Sequence, residues 1–229
     1  MKTIGLIGGL GWPSSAQYYE LINRSVQAAL GASHSAKILM YSFDFHEIEL
    51  LQHQARWADA ARSMIDVANV LKQGGADFLV ICSNTMHRLA EDVEAAVDIP
   101  LVHVADVTGN AVSQSGVTRV GLLGTLFTME EQFYIKRLSR HNLAVVIPDQ
   151  QDRIELHRII YEELVRGVVN DTSRVLLVAM IEKLAQKGVG GVILGCTEIM
   201  LLTQDYHGPI PLFDSTVLHA QAAVAQAIA

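Results

Sequence analysis

The chain has 229 residues, half of them hydrophobic, and its 17 basic and 24 acidic side chains give a formal net charge of −7. This length suffices for one large domain or two small ones with a buried core. The negative balance and the lack of a Lys/Arg-rich run argue against nucleic-acid binding. Apolar stretches are interrupted well before the roughly 18 residues that a membrane span needs. No export signal is evident, and two cysteines are too few for a disulfide framework, so a cytosolic protein is expected.

Short β-branched and apolar runs alternate with longer amphipathic stretches along the chain. The short runs are typical of buried parallel strands, and the amphipathic stretches have a helical period. In chain order, the predicted strands are Ile4–Ile7, Ile38–Phe43, Phe78–Ile81, Leu101–Val104, Val120–Leu123, Ala144–Ile147, Gly191–Leu194 and Ile210–Phe213. The predicted helices are Ser15–Ala29, Ala58–Gln73, Met129–His141, Arg153–Val165 and Ser173–Lys187. This alternation predicts an α/β fold with parallel sheets.

Three pairs of similar segments occur in the same order at nearly one offset. The pairs are Thr3-Ile-Gly-Leu-Ile-Gly-Gly9 with Arg119-Val-Gly-Leu-Leu-Gly-Thr125, Val80-Ile-Cys-Ser-Asn-Thr85 with Leu194-Gly-Cys-Thr-Glu198, and Ile99-Pro-Leu101 with Ile210-Pro-Leu212, the last two each followed by Asp-x-Thr. Such repetition predicts a duplicated architecture. We expect two α/β halves related by a pseudo-twofold axis. The first comprises residues 1–98 plus 210–229, because the C-terminal segment returns to complete it, and the second comprises residues 99–209.

Cys82 and Cys196 each follow an apolar strand and precede a helix-start pattern, 114 residues apart. Ligands of open α/β sheets bind at this edge, where backbone N–H groups attract a carboxylate. The N-terminus of the helix predicted after each cysteine carries a partial positive charge, which predicts a lowered thiol pKa. Asn84, Thr85 and Thr197 supply side chains that can cap the helix or bind a ligand. Free cysteines are commonly small buried hydrophobes, but duplication at matched strand ends favours a functional pair facing one cleft.

Two thiols in one cleft suit the inversion of a stereocentre by proton transfer. This reaction needs a base on one face and an acid on the other, and the two exchange roles in reverse. A thiol and a thiolate achieve this without a cofactor. A metal site is the competing use, with His87 or His219 recruited, but zinc needs three or four ligands and no C-x₂-C is present. We therefore predict neither a cofactor nor a metal.

Two loops after strands are further candidates for substrate contact. The loop Gly8-Gly-Leu-Gly-Trp-Pro-Ser-Ser15 lets backbone approach a ligand and presents Leu10 and Ser14. Its dinucleotide-binding alternative is weak, because Ser14 replaces the third glycine of G-x-G-x-x-G and no acidic residue follows at about 20 positions. The matching loop of the second half offers Thr125. Ordinary turn chemistry explains both loops equally simply.

Charged and polar side chains outside these loops complete the candidate set. The segment Asp44–Gln52 follows the second strand and should border the cleft, where Gln52 is the candidate for substrate contact. The charged side chains of this segment also fit a solvated helix face. Arg56, Arg153 and Arg158 are candidates for holding a second substrate carboxylate, against the alternative of surface positions. His87 either tunes Cys82 or is structural. Glu198 either binds an ammonium group or biases the nearby thiol.

The motifs Gly8-Gly-Leu-Gly, Cys82-Ser-Asn-Thr-Met-His87 and Gly195-Cys-Thr-Glu-Ile199 resemble those of the aspartate/glutamate racemases. The likeness covers almost the full length and is strongest to the broad-specificity bacterial branch, with a similar Trp12 loop and Asp44–Ile48 segment. It implies two flavodoxin-like domains with the active site between them, often a homodimer, and catalysis without pyridoxal phosphate. The implied acid/base residues are Cys82 and Cys196. The implied substrate-binding residues are Leu10, Ser14, Gln52, Asn84, Thr85, Thr125, Thr197 and Glu198.

Several departures narrow the resemblance. Cys-Thr-Glu stands where cell-wall glutamate racemases have Cys-Thr-His, and the first loop lacks their Asp-Ser-Gly start, which disfavours a dedicated glutamate racemase. Leu10 replaces a frequent Met. Arylmalonate decarboxylases keep only one of the cysteines, whereas maleate isomerases keep both and stay open as an alternative. A two-lobed carboxylate-binding protein without turnover is the non-enzyme alternative. The expected activity is racemisation of a free amino acid, aspartate or glutamate, by the cysteine pair.

Overall fold

The computed structural model describes residues 1–31, 33–203 and 206–229, and the chain divides into two compact units. The first unit comprises Met1–His103 with His219–Ala229, and the second comprises Val104–Leu218. The elements up to His103 are β1 (Ile4–Gly8), α1 (Trp12–Leu30), β2 (Ile38–Ser42), α2 (Phe45–His53), α3 (Trp57–Gln73), β3 (Phe78–Ile81), a 3₁₀ helix (Thr85–Leu89), α4 (Ala90–Ala96) and β4 (Leu101–Val102). The following elements are α5 (Val104–Gln114), β5 (Arg119–Gly124), α6 (Leu126–Glu130), α7 (Gln132–Ser139), β6 (Ala144–Val146), α8 (Gln150–Glu162), a 3₁₀ helix (Leu164–Arg166), α9 (Asp171–Gln186), β7 (Val192–Gly195), a 3₁₀ helix (Ile199–Leu202), β8 (Leu212–Asp214) and α10 (Ser215–Ile228).

The first unit contains a four-stranded parallel sheet in the order β2-β1-β3-β4. Every residue of the two central strands β1 and β3 is buried, whereas the edge strand β2 is half-buried to exposed. This burial explains the uninterrupted apolar sequence of the central strands. The apolar face of α3 packs into this unit's core through Met64, Val67 and Leu71.

The second unit contains a four-stranded parallel sheet in the equivalent order β6-β5-β7-β8. Its central strand β7 is fully buried, and so is β5 after Arg119. Apolar side chains of α8 and α9, among them Leu156, Leu177 and Ile181, pack with Leu194 in one cluster. Two parallel sheets with one shared strand order confirm the predicted α/β class with two pseudosymmetric flavodoxin-like units.

The last strand and the unit boundaries differ from expectation. We expected residues 210–229 to complete the first half, with boundaries after 98 and 209. Instead, β8 pairs with β7 in the second sheet, and only His219–Ala229 belongs to the first unit. The first boundary falls after His103. The register of Val192 with Leu212 and of Leu194 with Asp214 explains the correction, because these backbone bonds tie the strand to β7.

Two helices also differ from their predicted bounds. The expected helix Met129–His141 is split into α6 and α7 at Glu131, whose backbone is extended (φ −85°, ψ 150°). The expected helix Arg153–Val165 begins earlier, at Gln150, and ends at Glu162 before a 3₁₀ turn. A helical apolar period continued through both breaks, so periodicity alone did not reveal them.

Candidate active site

Cys82 is the first residue after β3 and is fully buried. Its backbone N–H donates to the Ile7 carbonyl oxygen at 3.0 Å, which continues the pairing of β1 with β3. The thiol therefore stands at the carboxyl edge of the two central strands of its sheet. This is the edge at which the sequence predicted it.

The turn after Cys82 carries several of the predicted site residues. Asn84 and Thr85 are buried, and Thr85 begins the 3₁₀ helix. Gln52, from the buried face of α2, directs its side-chain nitrogen to the Met86 sulfur at 3.0 Å. The structure thus brings Gln52 to this turn, although 30 residues separate it from Cys82.

The first loop is shaped by backbone and by one serine. Gly9 has a positive φ of 72°, and a Cβ there would clash with the Phe43 backbone, so glycine is required. The Gly9 N–H donates to the Ser15 hydroxyl oxygen at 2.7 Å. Leu10 and Ser14 are both buried in this loop region. The first unit therefore places the predicted loop residues after β1, the strand that neighbours β3.

Two of the predicted histidines lie in a buried group of the first unit. The His87 ring nitrogen Nδ1 lies 2.7 Å from the Ser83 carbonyl oxygen, and its ring centroid lies 5.4 Å from that of His219. His219 Nε2 lies 2.7 Å from the Val102 carbonyl oxygen, which makes Nε2 the donor and leaves Nδ1 to accept from the Tyr18 hydroxyl at 2.8 Å. Burial lowers the pKa of His219 to about 4. This geometry is that of a neutral, hydrogen-bonded imidazole.

Cys196 occupies the corresponding position in the second unit, directly after β7. Its thiol donates to Glu198 Oε2 at 3.1 Å, and the Thr197 hydroxyl donates to the same oxygen at 2.5 Å. All three side chains are buried, with Cys196 only 8% exposed. The turn after β7 therefore joins a thiol, a hydroxyl and a carboxylate in one hydrogen-bonded group.

Thr125 follows β5, the strand that neighbours β7. Because Gly124 is in register with Gly195, Thr125 and Cys196 emerge at the same edge of the second sheet. The Thr125 hydroxyl accepts from the Thr128 N–H at 3.3 Å and so caps α6. Gly195 is needed at the strand end, because a Cβ there would lie 2.9 Å from the Leu123 carbonyl oxygen.

The expected lowering of the thiol pKa values is wrong. Burial raises the pKa of the Cys82 thiol well above its ordinary value. Burial also raises the pKa of the Cys196 thiol, and the Glu198 carboxylate adds to this effect. Backbone N–H groups of Glu198 and Ile199 favour the Cys196 thiolate, but they are outweighed. The sequence prediction considered the turn that follows each cysteine and omitted the loss of solvation.

The three arginines considered for a second carboxylate are each paired with an acidic side chain. Arg56 lies 2.6 Å from Asp59 and is about half exposed. The other two contacts are Arg153 with Glu130 at 2.7 Å and Arg158 with Glu163 at 2.8 Å. The structure therefore accounts for these arginines as partners in ion pairs, whereas the alternative left open by the sequence was a surface position without a named partner.

The contacts of two polar residues in the second unit were not predicted from the sequence. His157, on α8, accepts the Leu126 N–H at 3.2 Å and so contacts the loop that contains Thr125. Asp214, at the end of β8, accepts the N–H groups of Thr216 and Val217 at 2.8 and 3.1 Å. No local pattern indicates the His157 contact, which joins residues 31 apart. Asp214 was visible in the Asp-x-Thr repeat, but its capping role depends on where α10 begins.

Two structural features are absent from the described residues. Within residues 1–31, 33–203 and 206–229, no group of three or more His, Cys, Asp or Glu side chains is placed to hold a metal ion. Within the same ranges, no helix is both long and apolar enough to cross a membrane. Both cysteines are free thiols.

Comparison with known proteins extends the resemblance seen in the motifs. RacX, a broad specificity amino-acid racemase of Bacillus subtilis (strain 168), is 22% identical over 235 residues, which cover 99% of this chain and 98% of RacX. A crystal structure from Yersinia pestis, provisionally described as an Asp/Glu racemase, is 48% identical with a TM-score of 0.93 and full coverage of both chains. An aspartate racemase homologue from Pyrococcus horikoshii is 32% identical with a TM-score of 0.85, again with full coverage of both chains.

A family profile also matches most of the chain. The profile of the Asp/Glu/Hydantoin racemase family matches residues 7–223, which include both cysteines and both strand-end turns. Together with the solved structures, this match confirms the resemblance on which the sequence interpretation relied. The chain belongs to the Asp/Glu/hydantoin racemase family.

Proposed function

We propose that this protein inverts the Cα of a free amino acid, with aspartate or glutamate as substrate, by proton transfer between Cys82 and Cys196 without a cofactor. The observation that carries the proposal is the equivalent position of the two thiols. Each is the first residue after the third strand of a sheet, and the two sheets share one strand order. A duplicated thiol is the group that a two-base racemase needs and that a binding protein does not.

The proposed reaction begins with one thiolate and one thiol. The thiolate removes the Cα proton, and the thiol donates its own proton to the opposite face of the resulting carbanion. The product leaves the two sulfurs with exchanged protonation states, ready for the reverse reaction. Once formed, a thiolate whose conjugate acid is weak is a strong base toward the weakly acidic Cα–H.

Groups beside each thiol are suited to binding the rest of the substrate. Asn84 and Thr85 in the first unit, and Thr197 in the second, are buried polar side chains next to a cysteine. We assign them, with the backbone N–H groups of the same turns, to the α-carboxylate and to the charge that develops in the transition state. Leu10, Ser14, Gln52, Thr125 and Glu198 complete the proposed substrate-binding set.

Deuterium incorporation tests the proposed activity directly. The purified protein is incubated in D₂O with single enantiomers of aspartate, glutamate and neutral amino acids, and Cα deuteration and optical inversion are followed by NMR and chiral chromatography. We expect both to occur together with aspartate or glutamate. Absence of Cα deuteration across the whole set refutes the racemase proposal.

The same assay separates the alternatives. Turnover of maleate to fumarate without amino-acid exchange favours a maleate isomerase, and release of CO₂ from an arylmalonate favours a decarboxylase. Saturable binding of aspartate with no exchange favours a carboxylate-binding protein. Two treatments test cofactor independence: addition of pyridoxal phosphate, and removal of any carbonyl-containing cofactor. The racemisation rate should be unchanged by either treatment.

We further propose a homodimer in a reducing cytosol, as the family likeness implies. A thiol pair works only while both sulfurs are reduced, and the activity should therefore be lost on oxidation and recovered with a reductant. Light scattering at several concentrations measures the oligomeric state, and a constant monomer mass contradicts the dimer.

A further inference from the structure

Glu198 forms a contact that the exchange of protons between the cysteines does not itself require. Its Oε2 accepts hydrogen bonds from the Cys196 thiol at 3.1 Å and from the Thr197 hydroxyl at 2.5 Å. The carboxylate is buried, so the interaction with the sulfur is poorly screened by solvent. An anion at this position interacts very differently with a thiol and with a thiolate.

The protonated and deprotonated forms of Cys196 can be compared through this contact. As a thiol, Cys196 donates to the carboxylate and stabilises it. As a thiolate, it places a second negative charge beside Glu198 in a buried environment, which is unfavourable.

The Cys82 turn differs in the residues that follow the thiol. Ser83, Asn84 and Thr85 are neutral side chains, whereas Thr197 and Glu198 follow Cys196. Burial raises the pKa of the Cys82 thiol, with no carboxylate among the causes of that shift. For Cys196, the Glu198 carboxylate adds to the effect of burial. The two thiols are therefore equivalent in position but differ in the charge beside them.

We propose that Glu198 is a positioning residue that holds the proton on Cys196, so that in the substrate-free enzyme Cys196 is the acid and Cys82 ionises first as the base. This assignment rests on the proposed two-cysteine function and names the starting state of each sulfur. In that state the proton stays on the Cys196 sulfur, because the hydrogen bond to Glu198 stabilises the thiol form. During turnover it breaks as its proton moves to the substrate carbanion, while Cys82 gains the proton taken from Cα.

Vibrational spectroscopy tests the proposal without reference to activity. The S–H stretching band of a thiol lies apart from other protein bands, vanishes on ionisation and moves to lower wavenumber when the thiol donates to a strong acceptor. The chain has two cysteines, so Cys82→Ser leaves Cys196 as the single thiol and Cys196→Ser leaves Cys82. We expect the Cys196 band of the Cys82→Ser protein to persist through neutral pH at a lowered wavenumber.

Adding Glu198→Gln supplies the decisive comparison. The amide keeps the size of the side chain but removes its charge, so the Cys196 band should move to higher wavenumber and vanish at least about one pH unit lower than with Glu198. The matched control is Glu198→Gln in the Cys196→Ser protein, where the Cys82 band should be unchanged. Circular dichroism and thermal unfolding of each variant verify that it is folded.

Three results would overturn the assignment. They are a Cys196 band already absent at neutral pH in the Cys82→Ser protein, a Cys196 band unaffected by Glu198→Gln, and an equal effect of Glu198→Gln on both thiols. If Glu198→Gln does not fold, Glu198→Asp is the second variant. Its shorter side chain should weaken the hydrogen bond from the Cys196 thiol, so the Cys196 band should move to higher wavenumber. Because the band is measured without substrate, failure of the racemase proposal leaves this test intact, and failure of this test leaves Cα exchange in D₂O unaffected.

Activity adds an independent readout of the same group. The alkaline limb of the kcat/KM profile reports the acid of the free enzyme. In the enzyme with both cysteines, Glu198→Gln should move this limb to lower pH by about one unit or more, with a smaller effect on the acid limb. A uniform loss of kcat/KM with both limbs unmoved indicates that Glu198 acts only in structure or substrate binding, and contradicts its proposed effect on the Cys196 proton.

Discussion

The two units share a strand order but differ in the turn that follows the cysteine. In the first unit Cys82 is followed by neutral side chains, and Gln52 reaches the turn from α2. In the second unit Cys196 donates to Glu198, which also receives the Thr197 hydroxyl. Strand order is set by many backbone hydrogen bonds and a buried core, whereas the turn depends on a few side chains. The difference shows how a duplicated scaffold can keep two thiols in equivalent places and still surround them with different hydrogen-bonding groups.

The loops after β1 and β5 show the same divergence. The first relies on Gly9 with a positive φ and on Ser15, which accepts the Gly9 N–H. The second relies on Thr125, whose hydroxyl caps α6 by accepting the Thr128 N–H. Both solutions satisfy backbone N–H groups at the edge of a sheet. The first depends on backbone conformation and the second on a side chain, so the units should respond differently to substitution.

The largest expected effect tests whether both thiols are needed. Cys82→Ala and Cys196→Ala should each reduce racemisation by about 10³-fold or more, because each removes an acid or base. Each variant should retain Cα–H exchange of one enantiomer only, and the two variants should act on opposite enantiomers. Racemisation and exchange are measured with single enantiomers in D₂O.

Val80→Ala and Val192→Ala are the matched controls for these cysteine variants. They truncate buried side chains in β3 and β7, the strands that precede the two cysteines. We expect them to lower stability while keeping both acid/base groups, so racemisation by the folded protein should persist. Full activity in either cysteine variant contradicts the two-base scheme.

The second prediction concerns the cores that support the two cysteines. Ile7 of β1 and Leu123 of β5 are fully buried and lie in register with Ile81 and Leu194. Ile7→Ala and Leu123→Ala should each lower the free energy of unfolding by about 2–5 kcal/mol, since each leaves a cavity. Urea unfolding measures the cost, and hydrogen exchange locates it.

Hydrogen exchange makes this pair a comparison between units. Ile7→Ala should accelerate exchange chiefly in β1 and β3, and Leu123→Ala chiefly in β5 and β7. Equal acceleration in both sheets by either variant would show that the two units open as one cooperative body. Exposed Val70→Ala provides a control that removes apolar atoms without opening a core cavity.

The third prediction concerns pH. The His219 pKa is about 4 in the folded protein, below its ordinary 6.5, so the unfolded chain takes up this proton first as pH falls. Stability contributed by neutral His219 is therefore present above pH 6.5 and is lost as pH falls toward 4, by about 3 kcal/mol in total. His219→Gln should flatten this part of the stability profile, measured by urea unfolding between pH 7 and pH 4.

Asp214 in the second unit supplies the opposite sign. Burial raises its pKa, so the folded protein retains this proton more strongly than the unfolded chain does, and its contribution becomes more favourable as pH falls. Asp214→Asn keeps a capping side chain and should remove that contribution without affecting the His219 dependence. An unchanged pH profile in His219→Gln would contradict the assignment to His219.

The smallest expected effect tests the side-chain cap of the second loop. Thr125→Ala removes the acceptor for the Thr128 N–H and should lower the free energy of unfolding by about 1 kcal/mol. Thr125→Ser keeps the hydroxyl and should retain most of that stability. Equal stability of the Ala and Ser variants would show that the cap contributes little.

Much of the fold could be predicted from the sequence because its signals are local. All eight predicted strands are present within one residue of their predicted ends, except that the last begins at Leu212 rather than Ile210 and that β4 ends at Val102 rather than Val104. Buried central strands need continuous apolar runs, and such runs are visible without a structure. The helix break at Glu131 was not predictable in this way, because the apolar period continues on both sides of it.

The candidate site was predictable to a different extent. Cys82 and Cys196 were found from their strand-end positions and from the repeat, since both are properties of the chain order. The contact of Gln52 with the Cys82 turn depends on the packing of α2, and the ion pairs of Arg153 and Arg158 depend on side chains brought close by folding. No periodicity reports such distances.

The sequence by itself determined the α/β alternation, the duplication and the location of one thiol at the end of a central strand in each half. These features follow from local apolar period and from residue order. Only the tertiary structure decided that β8 pairs with β7, that burial raises the thiol pKa values, and that Glu198 accepts a hydrogen bond from the Cys196 thiol. Each of these depends on which groups folding brings together and on how completely it excludes water from them.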